Sequence, residues 1–147
     1  MKAYSNVKFL RINQCDVDIP MFPNLIYLEL SVGYHVKWSV ALDMLNHCPK
    51  LQTVVFDLTF DGEDDVWPDP GFVPECFSSH LRKCFLEIFA GLGCEKRFAR
   101  YVMQNSTLLR TMTISGRYPP NHPKMLEILT ELSSYPRSSA VCELLIK

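Results

Sequence analysis

The sequence lacks the features that mark membrane-spanning and secreted proteins. Its 147 residues contain no apolar run of about 18 residues, the length that a membrane-spanning helix requires. Residues 1–10 contain no long apolar segment of the kind found at the centre of a signal peptide. The 15 lysines and arginines nearly balance the 16 acidic residues, so no net field attracts nucleic acid or an anionic membrane. The sequence therefore predicts a protein of the cytoplasm or the nucleus.

The six cysteines do not fall into the close pairs that metal sites use. A zinc site usually takes two ligands from one turn, whereas Cys76, His80 and Cys84 follow one another at intervals of four residues. Those three would share a face on a helix, but Cys84 falls at an inward strand position of the repeat described below. Buried structural thiols are therefore favoured. An even cysteine count permits disulfides, but a chain of this length and apolar content needs none, so reduced thiols are expected.

The sequence also lacks the common motifs of catalysis and of phosphate or calcium binding. Gly91-Leu92-Gly93 has neither a third glycine nor a following Lys-Ser/Thr pair, so it is not a phosphate loop. The acidic residues from Asp57 to Asp65 lack the alternating ligand spacing of an EF-hand. No local motif sets a cysteine beside a histidine with an orienting group. The prediction is a non-enzymatic protein with no catalytic residues, no cofactor and no metal.

One apolar frame, L-x-x-L-x-L with L standing for any apolar residue, recurs six times. The frames start at residues 7, 25, 51, 81, 109 and 141, so successive starts are 18 to 32 residues apart. This spacing lies near the period of about 20–29 residues that leucine-rich repeats have. A single repeat cannot bury its apolar side alone, but parallel neighbours in a stack can. The frame therefore predicts six short stacked strands.

Each frame also predicts which side chains point into the stack. Alternate side chains of a strand point to opposite sides, so the last two apolar residues of a frame, such as Leu28 and Leu30, point inward. The first apolar residue, such as Leu25, turns inward just before the strand. The residues between the inward positions then line the other side of the sheet.

Helical patterns occupy segments between the frames. Apolar residues from Trp38 to Leu45 lie at the spacing of one helix face, and Asn46-His47-Cys48-Pro49 ends that helix. A second helix is predicted over 94–105. The segment Pro20–Pro23 is too short and too rich in proline for a helix, so a plain loop is predicted there.

A third helix is predicted over about 122–134. Asn121 is its predicted N-cap, and Pro123 suits its first turn. Its predicted apolar face consists of Met125, Leu129 and Leu132.

Strands that alternate with helices predict parallel pairing through crossover helices. The predicted fold class is α/β, a short leucine-rich-repeat-like curved stack of parallel strands with crossover helices. The segment Trp67–Pro74 is rich in proline and shows neither period, so it is predicted to be a loop and a boundary. Residues 1–66 form the leucine-rich-repeat-like segment, and 67–147 continue the same stack as a second unit.

Particular residues resemble those of a known family. Phe22-Pro23-Asn24-Leu25, Tyr27-Leu28-Glu29-Leu30 and Cys48-Pro49-Lys50-Leu51-Gln52 resemble the repeats of plant F-box/FBD/leucine-rich-repeat proteins. Residues 67–146 resemble the FBD domain of that family, in the family's order and spacing, which makes 67–147 the FBD domain. The matching residues are Trp67-Pro68, Val73-Pro74-Glu75-Cys76, Ser78-Ser79-His80-Leu81, Gly91, Glu95-Lys96, Phe98, Arg100-Tyr101, Asn105, Leu109, Met112-Thr113-Ile114, Leu129, Glu131-Leu132-Ser133-Ser134, Pro136-Arg137, Cys142 and Leu144.

The resemblance implies target recognition for a ubiquitin ligase. Full-length members carry an N-terminal F-box that docks onto the Skp adaptor of a cullin ubiquitin ligase, and their repeats and FBD domain are thought to hold the protein to be ubiquitinated. This chain starts inside the repeats without an F-box, so the resemblance implies an unknown target protein and no direct Skp adaptor binding. The alternative is a truncated or degenerate product with no ligase role.

The outward side of the predicted sheet is the candidate protein-binding face. Large aromatic residues beside charges on an open face are typical of protein interfaces. The alternative is that loops or a further repeat cover some of these residues. The candidates are Arg11, Tyr27, Glu29, Thr53, Val55, Lys83, Phe85, Thr111 and Thr113, with Phe9, Glu143 and Leu145 on the same side.

Basic residues near 82–100 support a different class of function. A basic patch beside an aromatic ring is typical of nucleic-acid binding. A solvated helix face explains the last three of these basic residues equally well. They are Arg82, Lys83, Lys96, Arg97 and Arg100, with Phe85 as the neighbouring aromatic residue.

Overall fold

The computed structural model describes residues 6–12, 20–32, 38–58, 72–91, 93–116 and 118–147. Its strands are β1 (Phe9–Ile12), β2 (Tyr27–Val32), β3 (Thr53–Leu58), β4 (Lys83–Phe89), β5 (Thr111–Gly116) and β6 (Glu143–Ile146). Its helices are α1 (Trp38–Asn46), α2 (Glu75–Ser79), α3 (Gly93–Asn105) and α4 (Pro123–Ser133).

The described strands form one six-stranded sheet in chain order, and every neighbouring pair is parallel. A helix follows each strand from β2 to β5, as is usual for the crossover between parallel strands. Between β1 and β2, the described residues 20–26 form a bridge and a turn, as predicted for a plain loop. The α/β stack of parallel strands and interleaved helices that the repeat predicts is therefore confirmed.

The inward positions of the four inner strands form the centre of the core. These eight side chains are at most 3% exposed, and the aromatic rings of Phe56 on β3 and Phe98 on α3 meet edge to face at 5.0 Å. Burial of a large apolar side chain contributes about 1.5–3 kcal/mol, so the core supplies most of the stability. The eight are Leu28, Leu30, Val54, Phe56, Cys84, Leu86, Met112 and Ile114.

The frame is wrong at one position of the last repeat. The first apolar residues of four earlier frames, Leu25, Leu51, Leu81 and Leu109, are fully buried, whereas Val141 is 67% exposed. Its neighbour Cys142 is buried instead, at 7% exposure. The turn before β6 explains the shift, because the amide of Cys142 donates to the carbonyl of Ser139 and the guanidinium of Arg137 to that of Cys142.

The three predicted helices are confirmed, but the structure also contains α2, which the sequence pattern does not predict. This helix has five residues, buries Cys76 and Phe77, and starts directly after Pro74. Five residues are too few to establish a helical period. α2 places Phe77 against the ring of Tyr101 on α3, at a centroid distance of 5.8 Å.

The N-cap predicted for α4 is wrong by one residue. His122, not Asn121, has the extended backbone before the helix, and its Nδ1 accepts from the amide of Lys124 at 3.0 Å. Pro123 stands in the first turn as predicted. The buried face of α4 consists of Met125, Ile128 and Leu132, with Leu129 half-buried beside them.

Glu95 stabilises the turn that leads from β4 into α3. The residue is 4% exposed, and its two carboxylate oxygens accept from the amide of Ala90 at 3.1 and 3.3 Å. In the same turn Gly91 has φ +88, a conformation that favours glycine, and a Cβ there would lie 3.0 Å from Ile128 Cδ1 of α4. The buried carboxylate and the glycine together let α3 and α4 pack closely.

Some predictions fall outside the described residues. The predicted boundary in the loop 67–74 lies largely there, because the description stops at 58 and resumes at 72. Most of the acidic segment after Asp57 lies there too. None of the described helices has the length and apolar content that crossing a bilayer requires.

Candidate functional site

The outward side chains of the sheet form two rows, which we call the open face. The register sets Phe9, Tyr27, Thr53, Lys83, Thr111 and Glu143 side by side in the first row. It sets Arg11, Glu29, Val55, Phe85, Thr113 and Leu145 side by side in the second. All twelve residues that the sequence places on this side therefore lie on one surface.

Two of the candidate residues on the open face are buried. Val55 is 7% exposed and Thr113 is 4% exposed, whereas Phe9 is 69% exposed and Leu145 is 39% exposed. Val55 and Thr113 flank Phe85 in the second row, and a small side chain beside a large ring loses contact with solvent. A partner would contact Phe85 over a larger area than these two residues, and their own contact with a partner remains a prediction.

A polar cluster orders the β1–β2 end of the open face. The guanidinium of Arg11 pairs with the carboxylate of Glu29 at 2.6 Å, and the hydroxyl of Tyr27 donates to the same carboxylate at 3.2 Å. Burial and this carboxylate raise the pKa of Tyr27. The rings of Phe9 and Tyr27 lie 6.0 Å apart. This cluster fixes an aromatic side chain beside a charge pair at the surface.

The open face is acidic where the central strands end. Beyond the second row, the register sets Asp57 beside Glu87. Burial and the carboxylates of Asp57 and Glu29 raise the pKa of Glu87. The predicted face omitted Asp57 and Glu87. Each lies two residues after a predicted outward position, so the alternation of side chains along a strand would have been enough to include them.

Two arginines stand next to each other just before the central strands begin. The amide of Arg110 donates to the carbonyl of Arg82 at 2.7 Å, so these two residues stand in register just before β5 and β4. Lys83, which follows Arg82 in the chain, stands in the first row and is exposed. The charged side chains of the first row are therefore one cation, Lys83, and one anion, Glu143, whereas Asp57 and Glu87 form an acidic pair beyond the second row.

The residues proposed for a nucleic-acid patch do not form one surface. Lys83 points away from the core, whereas α3 packs on the inward side through Phe98. Lys96 on α3 pairs with Glu131 of α4 at 2.6 Å, and the guanidinium of Arg100 lies 5.5 Å from the ring centroid of Tyr135. The sheet separates the basic residues of α3 from Lys83.

The cysteine and histidine residues considered for metal binding are spread over two elements. Cys76 lies in α2, His80 directly follows it, and Cys84 points inward from β4. The Nδ1 of His80 lies 2.7 Å from the hydroxyl of Ser79. Nowhere in the described ranges do three or more His, Cys, Asp or Glu side chains come together as metal ligands would.

The described cysteines are structural by their surroundings. Cys48, Cys76, Cys84 and Cys142 are buried and free, and burial raises the pKa of each thiol. The value reaches about 12 for Cys48 and Cys76. A thiol with such a pKa is protonated at neutral pH and does not act as a nucleophile.

The chain is similar to known proteins in sequence. The FBD family model matches residues 69–114. A putative FBD-associated F-box protein of Arabidopsis thaliana is 30% identical over 93% of this chain and 34% of its own length. A putative F-box/FBD/LRR-repeat protein of the same plant is 32% identical over 84% of this chain and 30% of its own length.

A further F-box/FBD/LRR-repeat protein of Arabidopsis thaliana is 34% identical over 84% of this chain and 29% of its own length. The chain thus spans about a third of the length of these relatives. No solved structure matches it significantly. The matched range 69–114 begins close to the predicted boundary and ends inside β5. The chain therefore carries an FBD sequence over residues 69–114 and is similar over most of its length to F-box/FBD/LRR-repeat proteins of Arabidopsis thaliana.

Proposed function

We propose that this chain binds another protein through its open face, without catalysis, as the target-recognition part of an F-box/FBD/LRR protein of a cullin-type ubiquitin ligase. The observation that supports this most directly is the continuity of the face. Six parallel strands in register bring Tyr27, Phe85 and several charged side chains onto one surface. The division of the chain into a repeat segment, 1–66, and an FBD domain, 67–147, belongs to the same proposal.

The dimensions of the face suit a protein partner. Strands in a sheet lie about 4.8 Å apart, so six strands span about 24 Å between the outer two. A specific interface buries about 800 Å² on each partner, and a few aromatic or arginine side chains near its centre provide most of the binding energy. Phe85 lies near the middle of the face, on β4. It is half-buried, whereas its neighbours Val55 and Thr113 in the same row are buried.

The charge distribution gives the partner an orientation. Lys83 lies at the start of β4 and Glu87 lies towards its end, and both side chains are exposed. A partner whose acidic group meets Lys83 and whose basic group meets Glu87 is electrostatically favoured. Because these charges are exposed, we expect them to affect the rate of association more than the final affinity.

The experiment measures how single substitutions change the binding of a captured partner to the purified chain. Phe85→Ala and Tyr27→Ala remove central aromatic contacts, so each should weaken binding by about tenfold or more. The matched control is Tyr118→Ala, because Tyr118 is 38% exposed and lies outside the open face. Circular dichroism checks that all three variants are folded.

Two outcomes would contradict the proposal. A partner that binds both face variants as tightly as the unchanged chain does not use the open face. Equal losses for Phe85→Ala and Tyr118→Ala would indicate a different surface or a general loss of structure. Direct binding of purified Skp adaptor to this chain would contradict the assignment of target recognition alone to these residues.

A further inference from the structure

The last strand, β6, forms an edge that the described residues leave uncovered. Its inward side chains Leu144 and Ile146 are only half-buried, although the corresponding residues of β5, Met112 and Ile114, are fully buried. On the outward side Leu145 is 39% exposed. An uncovered strand with apolar side chains on both sides is prone to pair with another strand.

The backbone of β6 has a fixed pattern of free hydrogen-bonding groups. The amides of Glu143 and Lys147 donate to the carbonyls of Arg110 and Ile114 on the β5 side, at 2.8 and 2.9 Å. Because successive residues of a strand direct these groups to opposite edges, Leu144 and Ile146 direct their amides and carbonyls away from β5. An added strand must pair with these two residues.

The residues of β6 are complementary to a second copy of themselves in the antiparallel direction. A two-fold axis through Leu145 sets Leu144 against Ile146 of the other copy and Glu143 against Lys147. The axis repeats the pair of Leu144 with Ile146, and in each of these two pairs the free amides and carbonyls can form two hydrogen bonds. The dimer therefore gains four. The pairing of Glu143 with Lys147 places opposite charges on the exposed side, where Glu143 flanks the contact between the two Leu145 side chains.

We propose that the chain forms a symmetric dimer by antiparallel pairing of β6 with β6 of a second copy, which joins the two sheets into one of twelve strands. The other edge is less suited. A two-fold axis through Leu10 of β1 sets Arg11 against Phe9, with no opposite charge, and the guanidinium of Arg11 already pairs with Glu29. The dimer uses Glu143 and Leu145 at the β6 end of each open face and leaves Tyr27 and Phe85 accessible, so it does not depend on the proposed target recognition.

The flank of α4 continues the apolar surface beside β6. Glu131 of α4 reaches Lys96 of α3, so this side of α4 faces the interior of the stack. On the helix, Leu126 and Leu129 lie roughly opposite Glu131, on the side turned away from α3, and Leu126 is 51% exposed. The dimer places apolar surface of the second copy close to this flank, where its burial adds to the strand pairing.

The test is sedimentation equilibrium of the purified chain with charge-swap variants of the strand. The unchanged chain should dimerise within a range of about 10–200 μM, as expected for a small interface. Glu143→Lys or Lys147→Glu sets two like-charge pairs across the axis and should weaken the dimer by about tenfold. The double variant Glu143→Lys with Lys147→Glu restores both pairs and should return most of the affinity.

Mixing the two single variants gives a second measurement. In a mixed dimer every 143–147 contact again joins opposite charges, so mixed dimers should predominate over either self-dimer. Both substitutions face uncharged partners in β5, since Glu143 pairs with Thr111 and Lys147 lies beside Ser115, so the fold should tolerate them.

Three results would overturn the proposal. The first is a chain that stays monomeric up to 200 μM at physiological salt. The second is a dimer whose affinity is the same for the unchanged chain, for each of the two single charge-swap variants and for the double variant. The third is a dimer lost on Phe9→Ser in β1, because that change lies at the opposite edge and should leave a β6 dimer unchanged.

Discussion

The middle of the stack and its two ends use the same sequence frame but differ in burial. In β2, Leu28 is fully buried, whereas Leu10 in β1 and Leu144 in β6 occupy the same frame position and are only half-buried. The three side chains are identical, so the difference comes from their neighbours alone. In this fold a repeat supplies one side of the core and depends on the adjacent repeats for the other.

The open face shows the same contrast between middle and ends. Val55 and Thr113, on inner strands, are 7% and 4% exposed although they point outward. Phe9, at the β1 end, is 69% exposed. Neighbouring rows of side chains cover the middle of a sheet even on its solvent side. On the inner strands β3 to β5, the accessible part of the two rows therefore consists of the exposed Lys83 and the half-buried Thr53, Phe85 and Thr111.

The largest expected effect compares the three leucines directly. Leu28→Ala should lower the free energy of unfolding by about 3–5 kcal/mol, because it leaves a cavity in a closed core. Leu10→Ala and Leu144→Ala should each lower it by about 1–2 kcal/mol, because water can fill the space at an open end. Urea unfolding measures all three. Equal losses at the three positions would show that the ends are as closed as the middle.

A smaller difference in the free energy of unfolding is expected between substitutions of two glutamates, Glu95 and Glu131. Glu95→Ala removes the buried acceptor of the Ala90 amide and should cost about 1–3 kcal/mol. Glu131→Ala removes an ion pair with Lys96 that remains partly in water, and should cost at most about 1 kcal/mol. The same urea series measures both. A larger loss at Glu131 than at Glu95 would contradict the structural role assigned to the β4–α3 turn.

The smallest expected effect is on how the unfolding free energy changes with pH, to which Glu131 and Glu87 contribute with opposite signs. The hydrogen bond and charge of Lys96 lower the pKa of Glu131, so its stabilising contribution is present above its unfolded value and is lost as the pH falls through the lowered pKa. Burial, Asp57 and Glu29 raise the pKa of Glu87, so its ionisation destabilises the fold at neutral pH, and this cost disappears at acidic pH.

Substitution by glutamine separates these two contributions. At pH 7, Glu131→Gln should lower the unfolding free energy and Glu87→Gln should raise it, each by about 0.5 kcal/mol or less because both side chains are largely exposed. At pH 3 both differences should shrink towards zero. A lower unfolding free energy for both variants at pH 7 would mean that Glu87 has a cationic partner and that the strand ends are not acidic.

The strands and their two sides could be predicted from sequence because the alternation of side chains is a property of every strand. α2 could not, because its five residues carry no period. The N-cap of α4 depends on which residue adopts the extended conformation before the helix, and there His122 takes the place that propensity assigns to Asn121. The burial of Val55 and Thr113 depends on Phe85 in the neighbouring strand, which a pattern along the chain cannot show.

Photo-crosslinking from single positions tests the central claim, protein binding through the open face, most directly. A photoreactive phenylalanine analogue replaces Phe85 in one variant and Tyr118 in another, and each is irradiated with the captured partner. We expect a covalent adduct with that partner from position 85 and little or none from position 118. Adducts from position 118 alone, or equal yields from both positions, would contradict the central claim.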